Sequence, residues 1–147
     1  STMRAILVVL LISAVTLASN PAGRTIKSHH GTYLRSILTK DGSYGVDMAP
    51  HNQMCEKWFI EEHNGKVAFK PYCNGGLTKY LRGNPGGHVD IADWRMDGEM
   101  WTPTQNLDGS WCFQTAYGTY LRATPAGEVV LASHCGAQER FRLGNWE

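Results

Sequence analysis

The chain lacks the signatures of a catalyst. No Gly-x-Ser-x-Gly elbow, His-Glu-x-x-His zinc helix or phosphate-cradling glycine loop occurs in its 147 residues. An enzyme needs a nucleophile with its base, a carboxylate pair in a cleft or an open metal site, so no catalytic residue is expected. Nothing beyond residue 25 shows helical periodicity over three turns, which argues against a helical fold. Charge of one sign is also missing. There are 14 basic and 13 acidic residues, a formal net charge of +1, and the basic residues lie singly among acids. Phosphate contacts dominate nucleic-acid affinity, so a nucleic-acid partner is not expected. No Cys-x-x-Cys and no Asn-x-Ser/Thr is present, and neither a zinc pattern nor N-glycosylation follows. His29, His30, His51, His63, His88 and His134 fall mostly in expected turns and read as solvated loop residues. No metal and no cofactor is expected.

The first segment differs from the rest. Met3-Arg4 precedes an apolar run from Ala5 to Val15, then Thr16-Leu17-Ala18. A basic start, a short apolar core and a small-x-small exit describe a secretory signal peptide. The run is shorter than the roughly 20 residues a spanning helix needs. Residues 1–18 are therefore assigned to a signal peptide, with Ser1-Thr2 as a remnant ahead of Met3, and residues 19–147 to one domain. A secreted, extracellular product with no membrane span after cleavage is expected.

Within that domain one unit is written three times. Tyr-Leu-Arg recurs at Tyr33, Tyr80 and Tyr120. Val-x-(apolar) follows as Val46-Asp47-Met48, Val89-Asp90-Ile91 and Val129-Val130-Leu131. Glu-x-(Trp/Phe) follows as Glu56-Lys57-Trp58, Glu99-Met100-Trp101 and Glu139-Arg140-Phe141. Gly, Asn, Asp and Pro punctuate short apolar runs, the pattern of an all-β sandwich or barrel. Asn64-Gly65, flanked by apolar alternation, signals a two-residue hairpin turn, and Asp108-Gly109 repeats it. Each unit therefore predicts four short strands: after the turn, at Tyr-Leu-Arg, at Val-x-apolar and at Glu-x-aromatic. Closing twelve strands on themselves removes edges. Leu34, Leu81 and Leu121 are expected at equivalent core positions, and Trp58, Trp101 and Phe141 form a second core set. The repeated Arg35, Arg82 and Arg122, and the repeated glutamates, are expected to be scaffold. The middle residues Asp47 and Asp90 are expected to face solvent.

Gly-x-Tyr-Leu-Arg, Gly-x-Val, Glu-x-Trp and then Asn-Gly or Asp-Gly, across residues 23–144, resembles the fascin-like branch of the β-trefoil superfamily. The resemblance implies a β-trefoil, three four-stranded repeats with pseudo-threefold symmetry. Proteins of this shape include actin cross-linkers, glycan-binding lectins, protease inhibitors and growth factors, and a shared fold does not carry a shared site. Fascin-like cross-linkers are cytosolic, usually carry several trefoils and have basic patches. This chain departs on each point.

Four cysteines in a secreted chain favour disulfides. With Asn64-Gly65 as a two-residue turn, His63 faces Lys66, and Cys55 falls one residue from directly opposite Cys73. A bulge near Pro71 would close the gap. This predicts Cys55–Cys73, and by elimination Cys112–Cys135.

Function is sought where the repeat breaks. Trp94 lies in a polar loop, and the third unit has no tryptophan there. Flat aromatic faces beside polar groups suit recognition, and saccharides want both. Asp90, Asp93 and Trp94 supply such a set in the second unit, and Asp47, Tyr44 and Asn52 a similar one in the first. The expected protein is a non-catalytic lectin-like module binding a glycan or glycoprotein. Actin binding, as the resemblance implies, and self-assembly into extracellular matrix are the alternatives.

Overall fold

Pairing of first and last strands organises the molecule. The computed structural model describes residues 23–74 and 78–145; the expected signal peptide lies outside them. The twelve strands are β1 (Thr25–Ser28), β2 (Tyr33–Leu38), β3 (Tyr44–Ala49), β4 (Trp58–His63), β5 (Lys66–Pro71), β6 (Tyr80–Gly83), β7 (Val89–Ala92), β8 (Thr102–Gln105), β9 (Trp111–Gln114), β10 (Tyr120–Ala123), β11 (Val129–Ala132) and β12 (Phe141–Gly144). Each expected strand is present. The last strand of a unit pairs with the first of the next, as β4–β5, β8–β9 and β12–β1. Inside each unit the first strand meets the fourth, through Arg24↔Trp58, Val67↔Trp101 and Trp111↔Phe141. Among the described residues these contacts close a six-stranded ring. The remaining strands form three hairpins, β2–β3, β6–β7 and β10–β11. The hairpins also touch one another: the Met48 N–H donates to Gly127 O at 2.9 Å and the Leu131 N–H to Gly87 O at 3.2 Å.

The core follows the repeat. Leu34, Leu81, Leu121, Trp58 and Trp101 are fully buried, and Phe141 nearly so. Ile26, Phe69 and Phe113, one from the first strand of each unit, add a third buried set. The indole N–H of Trp58 donates to Leu34 O at 2.8 Å, and that of Trp101 to Leu81 O at 3.2 Å. Each bond ties the fourth strand of a unit to its second, and it satisfies a polar atom that burial would otherwise penalise.

One turn recurs where the sequence reading treated each loop separately. Residues 28–32, 39–43, 84–88, 106–110, 115–119 and 124–128 adopt the same five-residue loop. The first residue is Ser, Thr or Asn, its carbonyl accepts the N–H of a glycine at the fourth position, and its own N–H donates to the fifth residue's carbonyl. That glycine always has positive φ, between 81° and 96°, where a Cβ is penalised. The expected Asp108-Gly109 two-residue turn is one of these longer loops. Only Gly109 has positive φ, because the Asp108 carboxylate accepts the Ser110 N–H at 3.0 Å and hydroxyl at 2.6 Å, stabilising a wider turn. At Asn64-Gly65 both residues do have positive φ, 53° and 80°.

Both disulfides are formed as paired, Cys55–Cys73 and Cys112–Cys135. The expected bulge is not what brings Cys55 to Cys73. The β4–β5 ladder stays regular from His63↔Lys66 to Trp58↔Pro71. A 3-10 turn at Met54–Glu56 turns the chain back over the missing residue.

Candidate functional site

Two of the candidate carboxylates are already engaged. Arg35 lies directly opposite Asp47, and Arg82 directly opposite Asp90. Each guanidinium grips its carboxylate with two hydrogen bonds, at 2.8 and 2.6 Å in both units. The expectation that these aspartates simply face solvent is corrected: cross-strand pairing with the repeated arginine holds them half-buried. Burial pushes the Asp90 carboxyl up, but hydrogen bonds from Arg82 and Asn84 outweigh it and hold the group below its ordinary value. The third unit has Val130 opposite Arg122, so Arg122 turns to Gln138 at 3.2 Å and approaches Glu139 at 3.6 Å.

The repeated glutamates shape the loops before the fourth strands. Each ends a 3-10 turn and is buried: Glu56, Glu99 and Glu139. Glu99 accepts the Met96 N–H at 3.0 Å, and Glu139 the Gly136 N–H at 2.7 Å. In the first unit Glu56 Oε1 instead lies 3.0 Å from His51 Nε2, an ion-pair distance without hydrogen-bond alignment. Removing such an acceptor leaves a backbone donor unsatisfied. Glu139→Ala is expected to destabilise the protein by about 1–3 kcal/mol, against less than about 0.5 kcal/mol for the exposed Glu128→Ala. Urea denaturation of both variants checks this; equal midpoints would contradict it.

The Trp94 loop is held on both sides of the indole. Before it, Asp93 pairs with the Lys79 ammonium. After it, the Arg95 guanidinium contacts His63 and reaches Glu61 at 3.5 Å. Glu61 also accepts from Lys70 at 2.7 Å; burial pushes its carboxyl up, and Lys70 and His63 pull it below its ordinary value. Trp94 itself is 63 % exposed, so it does not plug the barrel end. Anchored neighbours limit the backbone freedom that ligand binding would have to remove.

Lys79 also draws the two candidate sets together. Its Nζ stands 5.5 Å from the centre of the Tyr44 ring, so Tyr44 of the first unit and Asp93 of the second share one lysine. Asn52, the remaining candidate, accepts from Lys57 and borders a different cleft, with Tyr33 and Arg142. Lys79 was missed in the sequence, although it breaks the repeat: the residue before the repeated tyrosine is Thr32 in the first unit and Thr119 in the third. Met96, two residues beyond Trp94, is also exposed. It borders a cleft of about 510 Å³ shared with Arg82, Asn84, Asp97, Glu99 and Tyr117. Among the described residues no group of three or more His, Cys, Asp or Glu is placed to hold a metal ion, and no helix is long and apolar enough to cross a membrane.

No protein-family model and no curated protein matches the chain. Solved structures do. SeviL bound to an asialo-GM1 saccharide superposes with a TM-score of 0.69 at 17% identity, covering 86% of this chain and 99% of that one. The designed 3-fold symmetric protein ThreeFoil gives a TM-score of 0.69 at 16% identity, covering 84% of this chain and 99% of that one. The chain is a β-trefoil. At these identities the likeness carries the fold alone, and what distinguishes this β-trefoil is decoration. The three hairpins of the trefoil turn through the same five-residue loop, whereas Lys79, Trp94, Arg95 and Met96 gather around its second unit.

Proposed function

We propose that the protein is a secreted, non-catalytic carbohydrate-binding module of the fascin-like β-trefoil branch. Its contact surface is the Trp94 loop with Asp93, Lys79 and Tyr44. The observation that carries this reading is the exposed indole, flanked by residues that are both ion-paired, Asp93 to Lys79 just ahead of β6 and Arg95 to Glu61 on β4. A saccharide presents a C–H face for the indole and hydroxyls for a carboxylate, an ammonium and a phenol. The cleft beyond Met96 extends the surface for a second sugar ring. The saccharide bound by SeviL supports the ligand class, and the two disulfides and the apolar N-terminal segment support secretion. A glycan array probed with disulfide-intact protein is expected to retain at least one saccharide class. A blank array from folded protein would contradict the reading, and actin co-sedimentation and self-association would then be measured instead.

A further inference from the structure

The strands that close the ring carry an unfavourable pairing. The β1–β12 register sets Lys27 directly opposite Arg142, and like charges facing across antiparallel strands destabilise the pair. One step along, Ser28 faces Phe141, and both are buried. Just ahead of β12, Arg140 continues the extended backbone, with φ −104° and ψ 135°, and His29 lies in the loop that follows β1. Side chains alternate faces along extended chain, so Lys27, Arg140 and Arg142 share the outer face, and these three and His29 are exposed. With Asp108 and Ser110 they line an open cleft of about 670 Å³.

Asp108 is the sole carboxylate among the lining residues, and it is occupied. It accepts from Ser110 at 2.6 Å, and Arg142 reaches its carbonyl at 3.0 Å and its carboxylate at 3.3 Å. The Lys27 ammonium stands 5.6 Å from the Tyr33 ring centre. Three permanent cations against one carboxylate leave a surplus of two positive charges in a chain whose formal total is only +1. Residues two apart on a strand are spaced about 7 Å, which suits a ligand bearing several anionic groups better than one small ion. Guanidinium groups match planar pairs of acidic oxygens bidentately.

We propose that this cleft binds a sulfated saccharide, its sulfate esters held by Lys27, Arg140 and Arg142. The site is separate from the Trp94 loop, and it rests on the carbohydrate reading only in choosing a sulfated glycan over other polyanions. The test is calorimetric titration with a heparin hexasaccharide and its desulfated counterpart, in low and high salt. The sulfated probe is expected to bind, more weakly as salt rises, and the desulfated probe to bind at least about tenfold more weakly. Lys27→Gln/Arg140→Gln is expected to lose at least about tenfold in affinity, Lys27→Arg/Arg140→Lys to retain most of it, and Trp94→Ala to leave it unchanged. Equal binding of both probes, unchanged affinity in the glutamine variant with its melting temperature intact, or equal affinity for an oligonucleotide of matched charge would overturn the proposal. So would displacement by inorganic sulfate at equal sulfate concentration. Loss of neutral-glycan binding alone would strike the Trp94 reading and leave this one standing.

Discussion

Reducing both disulfides is expected to lower the melting temperature by about 15 °C or more. Cys55–Cys73 and Cys112–Cys135 close sequence separations of 18 and 23 residues, and loops of that size are typically worth about 3 kcal/mol each. The first bond crosses a unit boundary, tying the 3-10 turn ahead of β4 to the chain after β5. The second lies within the third unit, between β9 and the loop that follows β11. Removing them singly separates their contributions: Cys55→Ala/Cys73→Ala and Cys112→Ala/Cys135→Ala are each expected to lose about 2–4 kcal/mol. An unchanged melting temperature after complete reduction would show that the two bonds contribute nothing to stability.

Trp101→Ala is expected to destabilise the protein by about 3–5 kcal/mol. The side chain is fully buried, its ring packs edge-on against Phe69 at 6.2 Å, and its N–H holds the Leu81 carbonyl. Truncation leaves a cavity and an unsatisfied carbonyl together, and partial collapse cannot repair the second. Trp101→Phe is the informative control. Phe141 occupies the equivalent place in the third unit, so the ring of three tolerates phenylalanine there. The phenylalanine variant is expected to lose clearly less than the alanine variant in chemical denaturation. Equal losses would mean that the indole hydrogen bond, rather than the packed volume, dominates at this position.

Much of the fold was legible because the repeat exposes its own rules. Leu34, Leu81 and Leu121 could be assigned to one layer since each sits between Tyr and Arg in the same tripeptide, and period-two alternation leaves it the inward position. Trp58, Trp101 and Phe141 were legible for the same reason. The third layer, Ile26, Phe69 and Phe113, was not assembled as a set, because the longer connection between β5 and β6 spoils the spacing in the second unit. The common five-residue loop was also written in the sequence, as Ser, Thr or Asn followed three residues later by Gly. It was obscured by proline and charged residues at the intervening positions.

The site was less legible than the fold. Trp94 stood out as a break in the repeat, and a Thr-to-Lys break at Lys79 carried the same kind of signal. What no spacing could show was the partner of each charge. Asp47 and Asp90 looked like binding carboxylates until the register placed Arg35 and Arg82 opposite them. The cationic cleft on β1 and β12 was hidden for a related reason: its residues come from the two ends of the domain, and only ring closure brings them together.

The most direct test of the carbohydrate reading is a calorimetric titration of an array-retained neutral saccharide against the wild-type chain and Trp94→Ala, with melting temperatures measured on the same samples. Buried aromatic anchors at recognition sites carry about 2 kcal/mol or more, so the variant is predicted to bind about thirtyfold or more weakly with its melting temperature unchanged. Wild-type affinity in a folded Trp94→Ala protein would contradict the account and remove the Trp94 loop from the binding surface.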